Sequence, residues 1–436
     1  MKTALHRGCQ FALGFCLWLA AVPYGLAAAN EPPNVLLITI DTLRADHLGC
    51  YGYRGIRTPN IDGLAAAGVR FAAAYTPVPI TLPAHAVIFT GHYPMWTGMH
   101  DFSGNRLSRD QPTLAALLRE KGYATAGIVG AAVLDSRFGL DRGFDFYFDN
   151  FDFSRLDETN LDAMERPGDV VVGEALSWLA QNHSRPFFLW VHLYEPHHPY
   201  RPPAPFAEQY KAQPYDGEIA YADAQVGRLL RFLREKNLSD RTLIVLTADH
   251  GEGLGEHGEK THGFFIYNTT LHVPLILKLP AGQAVARKVV RTPVSLVDLL
   301  PTILEGVGLP VPRTVQGQSL LPLTQGKGGE SREGLYAETY LPRLHFNWSE
   351  LRSMQAGNYH FIEAPQPELY DLSKDPHERR NLFALDKERA EKLRDELAGL
   401  VKQYSPPSGQ ETGEKTGLDP VLMERLKSLG YTAVSA

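Results

Sequence analysis

The sequence is poor in cysteine, with three residues of this type among 436, at positions 9, 16 and 50. If the first 29 residues are removed, only Cys50 remains and no internal disulfide can form. An excess of basic residues is also lacking, because 43 lysines and arginines face 49 acidic residues, which gives a net charge of -6. This balance argues against a nucleic-acid partner, which usually requires a basic face.

Long apolar runs are scarce, and the one that stands out is at the N-terminus. Basic residues precede the apolar residues 11–26, and the small residues 27–29 follow. This order is typical of a secretory signal peptide. A retained membrane anchor is the weaker alternative because the run is short and contains Pro23 and Gly25. We therefore expect cleavage after residues 1–29 and a periplasmic or secreted protein without a stable membrane span.

Hydrophobic runs of strand length alternate with helical patterns along most of the chain. This alternation predicts the α/β class, with a large mixed, mainly parallel sheet sandwiched by helices. The clearest predicted strands cover residues 35–40, 187–192, 243–248 and 273–279. The clearest predicted helices cover residues 59–67, 114–121 and 218–236.

The pattern changes after residue 325, where a glycine-rich stretch is followed by shorter strands and one amphipathic helix. The shorter strands are predicted at residues 334–338, 359–363 and 368–372, and the helix at 387–403. We predict a catalytic domain of residues 30–325 and a small C-terminal subdomain of residues 326–404, with an antiparallel sheet and a helix. A mobile tail of residues 405–436, with a short helix at 423–429, completes the predicted organisation.

Polar side chains follow several predicted strands, at the edge where doubly wound sheets gather their chemistry. Asp41 ends the first strand, His192 ends a middle one, and Asp249 with His250 ends another. One aspartate after a strand is more often a cap or turn residue, but three polar strand ends in one sheet favour a site. Two carboxylates and an imidazole suit one divalent cation, namely Ca²⁺, Mg²⁺, Mn²⁺ or, because of the histidine, Zn²⁺.

Thr81 precedes a helical stretch in which Pro83 is an early position. A hydroxyl just ahead of a helix faces the positive end of the helix dipole, which favours an alkoxide and an incoming anion. An ordinary helix cap is the common alternative.

A second polar segment, residues 255–263, follows the strand that ends at Asp249, and it contains His257 and His262. Loops in this place often carry function, while Glu256 and Glu259 are also consistent with a solvated turn.

The chain resembles the sulfatase family of the alkaline-phosphatase superfamily from about Asn34 to Leu372. The matching stretches are NVLLITIDTLRADHLGCYG, TPNIDGLAAAGVRF, TLPAHAVIFTGHYP, PFFLWVHLYEPHHPY, GEIAYADAQVGRLL, LTADHGEGLGEHG and ELYDLSKDPHERRNL. So many ordered matches imply an alkaline-phosphatase-like fold and a metal-dependent hydrolase of sulfate or phosphate esters. The resemblance favours Ca²⁺ as the single divalent ion, and it implies metal ligands at Asp41, Asp249 and His250, with Thr42 in the place of a further carboxylate.

The nucleophile position departs from the family pattern. The family's cysteine or serine, which is converted to formylglycine within C/S-x-P-x-R, falls on Thr81, and the arginine of that motif falls on His85. Threonine cannot be converted by the usual route. A GKWH-like run of the family is replaced by GYATAGIVGAAV at residues 122–133. The resemblance also implies pocket roles for His197 and for His262, which falls near a lysine of related phosphonate monoester hydrolases.

The resemblance and the polar strand ends together assign expected roles to individual residues. Thr81 is expected to bind the metal and to attack the ester. The candidate catalytic residues are Thr81, His85, His197 and His262. The candidate substrate contacts are Asn105, Lys260 and His192, with an ordinary surface role as an equal alternative for the first two. The alternative function is a pseudoenzyme that binds sulfated or phosphorylated glycans without turnover, and a glycan is also a candidate substrate of the hydrolase.

Overall fold

The computed structural model describes residues 31–102, 104–152, 165–328, 332, 334–407 and 413–415. The predicted signal peptide and the predicted helix at 423–429 therefore lie outside the described residues. No helix within the described ranges is long and apolar enough to cross a membrane.

The described residues form three sheets, flanked by helices. The strands are β1 (Asn34–Ile40), β2 (Val69–Tyr75), β3 (Asn105–Arg106), β4 (Ala124–Val129), β5 (Phe146–Phe148), β6 (Phe187–Leu193), β7 (Thr242–Ala248), β8 (His272–Lys278), β9 (Val289–Val290), β10 (Val294–Ser295), β11 (Leu335–Thr339), β12 (Leu351–Ala356), β13 (Tyr359–Glu363), β14 (Glu368–Asp371) and β15 (Glu414–Lys415). The α-helices are α1 (Pro59–Ala67), α2 (Thr81–Thr90), α3 (Pro94–Thr97), α4 (Leu114–Glu120), α5 (Gly168–Asn182), α6 (Phe206–Gln209), α7 (Pro214–Glu235), α8 (Asn268–Leu271), α9 (Leu299–Gly306), α10 (Leu321–Thr324), α11 (Leu341–Phe346) and α12 (Lys387–Tyr404).

The large sheet has the strand order β10-β2-β8-β7-β1-β6-β4-β5, and β9 pairs with β2. Every pairing in it is parallel except those of β8, which runs antiparallel to β2 and β7. The predicted mixed, mainly parallel sheet is therefore confirmed. All residues of the central strands β1, β6 and β7 are buried, because helices cover both faces of the large sheet. This explains why these strands are mainly apolar along their whole length.

The second sheet is antiparallel, with the order β11-β12-β13-β14, and α12 packs against it. This confirms the small C-terminal sheet and helix, although β12 was not predicted. The described residues from Pro32 onward form one compact unit, and the division at residue 326 stays a prediction. Helix α7 begins four residues earlier than predicted, because Pro214 is suited to its first turn.

The topology positions the polar strand ends. Strand β1 lies between β7 and β6, and all three run in the same direction. Ile40 is paired with Ala248 on one side and with Leu193 on the other. The residues that follow β1 and β7, and His192 near the end of β6, must therefore meet at one edge of the sheet.

Candidate active site

Asp41, Asp249 and His250 meet at this edge, as the sequence predicted. One ligand atom from each lies within 4.8 Å of the others, and all three residues are buried. His250 Nε2 is 3.7 Å from Asp41 Oδ1 and 3.4 Å from Asp249 Oδ2. The parallel register of β1 and β7 brings the two aspartates together although they are far apart in the chain.

The carboxylate oxygens of this cluster that lack hydrogen bonds fit a cation. Both carboxylate oxygens of Asp41 and Oδ2 of Asp249 are buried, and no described residue gives them a hydrogen bond. Burial raises the pKa of Asp41 to about 7, and the neighbouring His250 acts in the opposite direction. Buried carboxylate oxygens without donors are costly, and a divalent cation would offset that cost. The residues present therefore fit a metal ion.

The remaining atoms of the cluster are held in a ligand orientation. Asp249 Oδ1 accepts from the main-chain N–H of His250 at 2.9 Å and of Thr42 at 3.3 Å, which leaves Oδ2 for the site. His250 Nδ1 donates to the carbonyl of Gly251 at 3.0 Å. Because a carbonyl can only accept, Nδ1 carries a proton, and Nε2 is the ring nitrogen that faces the carboxylates.

Thr81 lies beside this cluster, with Oγ1 3.3 Å from His250 Nε2. It is the first residue of α2, with Ile80 as the preceding cap, whereas the sequence placed it just ahead of the helix. The hydroxyl therefore belongs to the first helical turn, where main-chain N–H groups and the helix dipole favour negative charge. The threonine is 5% exposed, so most of the hydroxyl's surroundings are protein.

Thr42 occupies a strained position next to Asp41. Its φ is +53°, which is unfavourable for a β-branched residue, and its hydroxyl donates to the carbonyl of Pro196 at 2.8 Å. The hydroxyl hydrogen is thus engaged away from the carboxylates. A role for Thr42 as a metal ligand stays a prediction, while its main-chain N–H clearly supports Asp249.

His85 lies in the interior beneath Thr81 rather than at the surface of the site. Its Nδ1 donates to the carbonyl of Thr81 at 2.7 Å, and its Nε2 is 3.0 Å from Thr39 Oγ1. Trp190 Nε1 in turn donates to Thr39 Oγ1 at 2.9 Å. Burial lowers the pKa of His85 to about 3, so the ring is neutral and its Nε2 accepts a hydrogen bond from the Thr39 hydroxyl. Both ring nitrogens are therefore engaged by the protein.

His192 borders the carboxylate cluster instead of an open substrate pocket. It is fully buried, with Nε2 3.5 Å from Asp41 Oδ2, and Gly130 donates its N–H to Nδ1 at 3.4 Å. Burial lowers its pKa to about 4. His85, His192 and Asp249 form a second close group of potential ligand atoms. The nitrogens of His85 are already occupied, so the group around Asp41 fits a cation better.

Two further predicted residues, His197 and His262, line the same place. The ring centroid of His262 is 4.3 Å from that of His250 and 5.1 Å from that of His197. His197 Nδ1 donates to the carbonyl of His198 at 2.6 Å, which leaves its Nε2 as the lone-pair nitrogen. Burial lowers the pKa of His197 well below its usual value and that of His262 to about 4. Both imidazoles are therefore neutral hydrogen-bonding groups near Thr81.

Glu252 is a site residue that the sequence reasoning missed. Its Oε1 is 3.1 Å from His262 Nδ1, and its side chain is fully buried. Burial raises its pKa to about 7. The contact fixes the ring of His262, because Nδ1 faces the carboxyl group and Nε2 faces away from it. The available signal was its position two residues after His250 in the same polar loop.

Glu256 and Glu259, the other two acidic residues of that loop, have structural roles. Glu256 pairs with Arg44 at 2.8 Å. Glu259 is buried and accepts the main-chain N–H of Phe264 at 2.7 Å, so a solvated turn is wrong for it. The loop needs such internal acceptors because its main chain turns sharply between glycines.

Three other residues singled out in the sequence, Asn105, Lys260 and His257, are not among the residues that contact the carboxylate cluster in the described part of the chain. The side-chain amide of Asn105 donates to Gly98 at 3.0 Å and accepts from Lys415 at 3.3 Å. Lys260 is exposed on the loop that carries His262. His257 stacks on Tyr267 with centroids 3.7 Å apart. Substrate contacts by Asn105 and Lys260 stay predictions.

Comparison with known proteins identifies the family to which the chain is related. The family described as sulfatase matches residues 33–309, and the family described as N-sulphoglucosamine sulphohydrolase, C-terminal, matches residues 255–405. Human arylsulfatase A is 29% identical over 446 residues, covering 84% of this chain and 86% of that protein. An arylsulfatase of Clostridium perfringens (strain 13 / Type A) is 24% identical, covering 86% of this chain and 96% of its own length.

Solved structures show the same fold. The phosphonate monoester hydrolase of Agrobacterium radiobacter superposes with a TM-score of 0.74 at 23% identity, covering 85% of this chain and 96% of its own. A protein solved in complex with its substrate D-glucosamine-2-N,6-O-disulfate superposes with a TM-score of 0.72 at 22% identity, covering 87% and 100%. The fold is thus alkaline-phosphatase-like. With a family match over more than half of its length, the chain belongs to the sulfatase family and is an ester hydrolase.

Proposed function

We propose that this hydrolase cleaves sulfate or phosphate esters with Thr81 as its nucleophile and a divalent metal ion as its cofactor. The observation that carries the proposal is the position of Thr81 Oγ1, 3.3 Å from His250 Nε2 at the edge of the buried carboxylate cluster. A hydroxyl in the first turn of a helix, next to groups that could hold a metal ion, supports a role as the nucleophile toward an anionic ester.

Asp41, Asp249 and His250 are the residues that would hold the ion. When bound, the ion would stabilise the threonine oxygen as an alkoxide and withdraw charge from the ester oxygens. Ca²⁺ is the choice that the family resemblance favours, while two carboxylates and one imidazole also suit Mg²⁺, Mn²⁺ or Zn²⁺.

The chain's own groups would carry out the remaining steps. Thr81 Oγ1 gives up its proton and forms a bond to sulfur or phosphorus while the ester bond to the alcohol breaks, which leaves a covalent Thr81 ester and a proton for the leaving alcohol oxygen. His262 is held by Glu252 through Nδ1, so its Nε2 is the atom that exchanges a proton with the leaving alcohol or with water. His197, whose Nε2 carries the lone pair, lies on the other side of that ring, where it can accept a hydrogen bond from a hydroxyl group of the substrate or from water. Water then attacks the sulfur or phosphorus of this covalent ester, which breaks the bond to Thr81 Oγ1, releases inorganic sulfate or phosphate and returns a proton to the threonine.

The choice between sulfate and phosphate has support on both sides. The family match and arylsulfatase A favour a sulfate ester. The missing GKWH-like residues at 122–133 and the likeness to a phosphonate monoester hydrolase favour a phosphorus ester. The bound disulfated glucosamine of one structural neighbour supports a glycan as the alcohol component. We also propose export, on the basis of the signal-like residues 1–29.

A substrate panel tests the proposal. The nitrophenyl sulfate, phosphate, phosphodiester and phosphonate would be assayed with the native protein, Thr81→Ala and Thr81→Ser. We expect turnover of at least one ester, a loss of about 10³-fold or more in Thr81→Ala, and partial activity in Thr81→Ser. Mass analysis of acid-quenched protein should find the sulfuryl or phosphoryl group on the peptide with Thr81.

Two results would count against the proposal. Activity that survives in Thr81→Ala would remove this residue from the mechanism. A protein with a full complement of metal but no turnover of any ester would favour the alternative, a binding protein for sulfated or phosphorylated glycans.

A further inference from the structure

Three aromatic side chains form a cluster, which we call the aromatic platform: the exposed Phe346 and Trp348 and the partly buried Phe264. The ring centroids of Phe264 and Phe346 are 5.3 Å apart, those of Phe346 and Trp348 5.3 Å, and those of Phe264 and Trp348 6.3 Å. Trp348 is 63% exposed and Phe346 38% exposed. Contiguous apolar groups left in water are costly, and such patches commonly mark a binding surface.

The platform is close to Thr81 through one layer of residues. Phe264 comes two residues after His262 in the loop that supplies this imidazole. Between them, Gly263 has a φ of +100°, and a Cβ added there would lie 2.9 Å from Leu341 Cδ1 and 3.7 Å from Ile80 Cγ1. Leu341 begins α11, and Ile80 directly precedes Thr81. The helix that carries Phe346 therefore packs against the same glycine as the residue before the proposed nucleophile.

The rings are mounted on a fixed main chain. The main-chain N–H of Phe264 donates to the buried Glu259 at 2.7 Å. His345, which immediately precedes Phe346, contacts Asp101 through Nε2 at 2.7 Å. Because the main chain is already ordered at both ends of the platform, a ligand that stacks on the rings pays little to organise them.

Charged residues flank the exposed part of the platform in the chain. Arg343 contacts Glu350 at 3.0 Å, and the two residues flank the segment with Phe346 and Trp348 in the chain. Their side chains are 54% and 23% exposed. Aromatic rings with charged side chains nearby suit a ligand that has both apolar and polar parts. Such a ligand is a ring with C–H groups on its face, which contact the aromatic rings, and hydroxyls at its edge, which contact the charged groups. A pyranose ring has this division, whereas a lipid chain lacks the polar edge.

We propose that the aromatic platform is a subsite for a sugar ring in the alcohol part of the ester, stacked on Trp348. The proposal rests on the proposed function, since the ester group of the same molecule would have to reach Thr81. The anion would be recognised at the carboxylate and histidine cluster, and the platform would discriminate among alcohols.

Steady-state kinetics of Trp348→Ala test the proposal. Three substrates would be compared, all esters of the sulfate or phosphate group that the native protein hydrolyses: the O6 ester of glucosamine, the nitrophenyl ester, and the ester of a short alcohol without a ring. For the sugar ester we expect KM to rise about tenfold with kcat within about twofold, and for the ring-free ester no change. Trp348→Phe should recover most of the affinity. Inhibition by the free inorganic anion should be unchanged. Leu385→Ala is the matched control, because Leu385 is an exposed apolar residue of 69% exposure in another segment.

Several results would overturn the proposal. An unchanged KM for the sugar ester, an equal rise for all three esters, or a rise for the nitrophenyl ester alone would each do so. An unchanged KM together with a loss of self-association or of vesicle binding would assign the patch to a protein or membrane contact instead. If the native protein turns over no ester, the proposed function fails separately, and calorimetry of the sugar ester with native protein and Trp348→Ala still tests the platform.

Discussion

His85 donates from Nδ1 to the main-chain carbonyl of Thr81, four residues before it, at 2.7 Å. This bond lies within α2, and His85 is buried with both ring nitrogens engaged by the protein, so it has no free nitrogen to offer a substrate. We therefore assign His85 a positioning role, acting through the main chain of Thr81.

The positioning role predicts a difference between two replacements of His85. Asparagine can keep a donor near the place of Nδ1, whereas leucine has a similar volume and no donor. We expect His85→Leu to lower kcat by about tenfold or more with little change in KM, and His85→Asn to keep more activity. Steady-state kinetics with a urea titration of each variant would check this. Equal losses in both variants would contradict it.

Metal removal should act through Asp41. We expect about one divalent ion per native chain by elemental analysis, and a loss of the order of 3 kcal/mol of stability on chelation if the ion is present at about 100 times its Kd. Asp41→Asn should lack the ion and be insensitive to the chelator. With chelator above pH 7, this variant should be at least as stable as the native protein, because burial raises the pKa of Asp41 to about 7 and its ionised form is costly there.

The control for this experiment is Asp46→Asn, which changes an acidic residue whose partner is Arg44 and which should keep the ion. A full metal content in Asp41→Asn would refute the assignment of the site.

Glu252 should matter through His262. Removing the carboxyl group in Glu252→Ala frees the ring that it orients, and we expect a loss of about 10- to 100-fold in kcat, larger for esters with poor leaving groups. Glu252→Gln retains an acceptor and should lose less. Glu256→Gln, which alters a pair with Arg44 at the rim of the same loop, should stay within about twofold. Losses that are independent of the leaving group would argue for a purely structural effect.

Glu218 predicts a pH dependence of stability. Its side chain is buried with Oε2 unpaired among the described residues, and burial raises its pKa to about 9. In the native state it stays protonated up to that pH, whereas the unfolded chain releases the proton above about 4.5. The free energy of unfolding is therefore highest below pH 4.5, the pKa of Glu218 in the unfolded chain, and it falls as pH rises towards 9, by at most about 1.4 kcal/mol per pH unit. The midpoints of urea unfolding should diverge between native protein and Glu218→Gln from pH 5 to pH 9, in favour of the variant. Parallel curves would contradict this.

The buried strands and their polar ends were predictable for a physical reason. Strands β1, β6 and β7 are apolar on both faces, so their pattern stands out, and parallel strands bring Asp41 and Asp249 to one edge. The link from Trp190 to Thr39 and His85 was not predictable, because it joins side chains 151 and 46 residues apart through register alone. The exposure of Trp348 was also not predictable, because a short segment has no hydrophobic periodicity that distinguishes a buried aromatic residue from an exposed one.

Asp249 has one oxygen occupied by two main-chain N–H groups and one directed at the cluster, whereas both oxygens of Asp41 are open. Redesign of the proposed metal site should therefore begin at Asp41, where a new side chain breaks no hydrogen bond to the described residues. A change at Asp249 would also release the turns that follow two neighbouring strands, and any altered selectivity would be confounded with a displaced backbone.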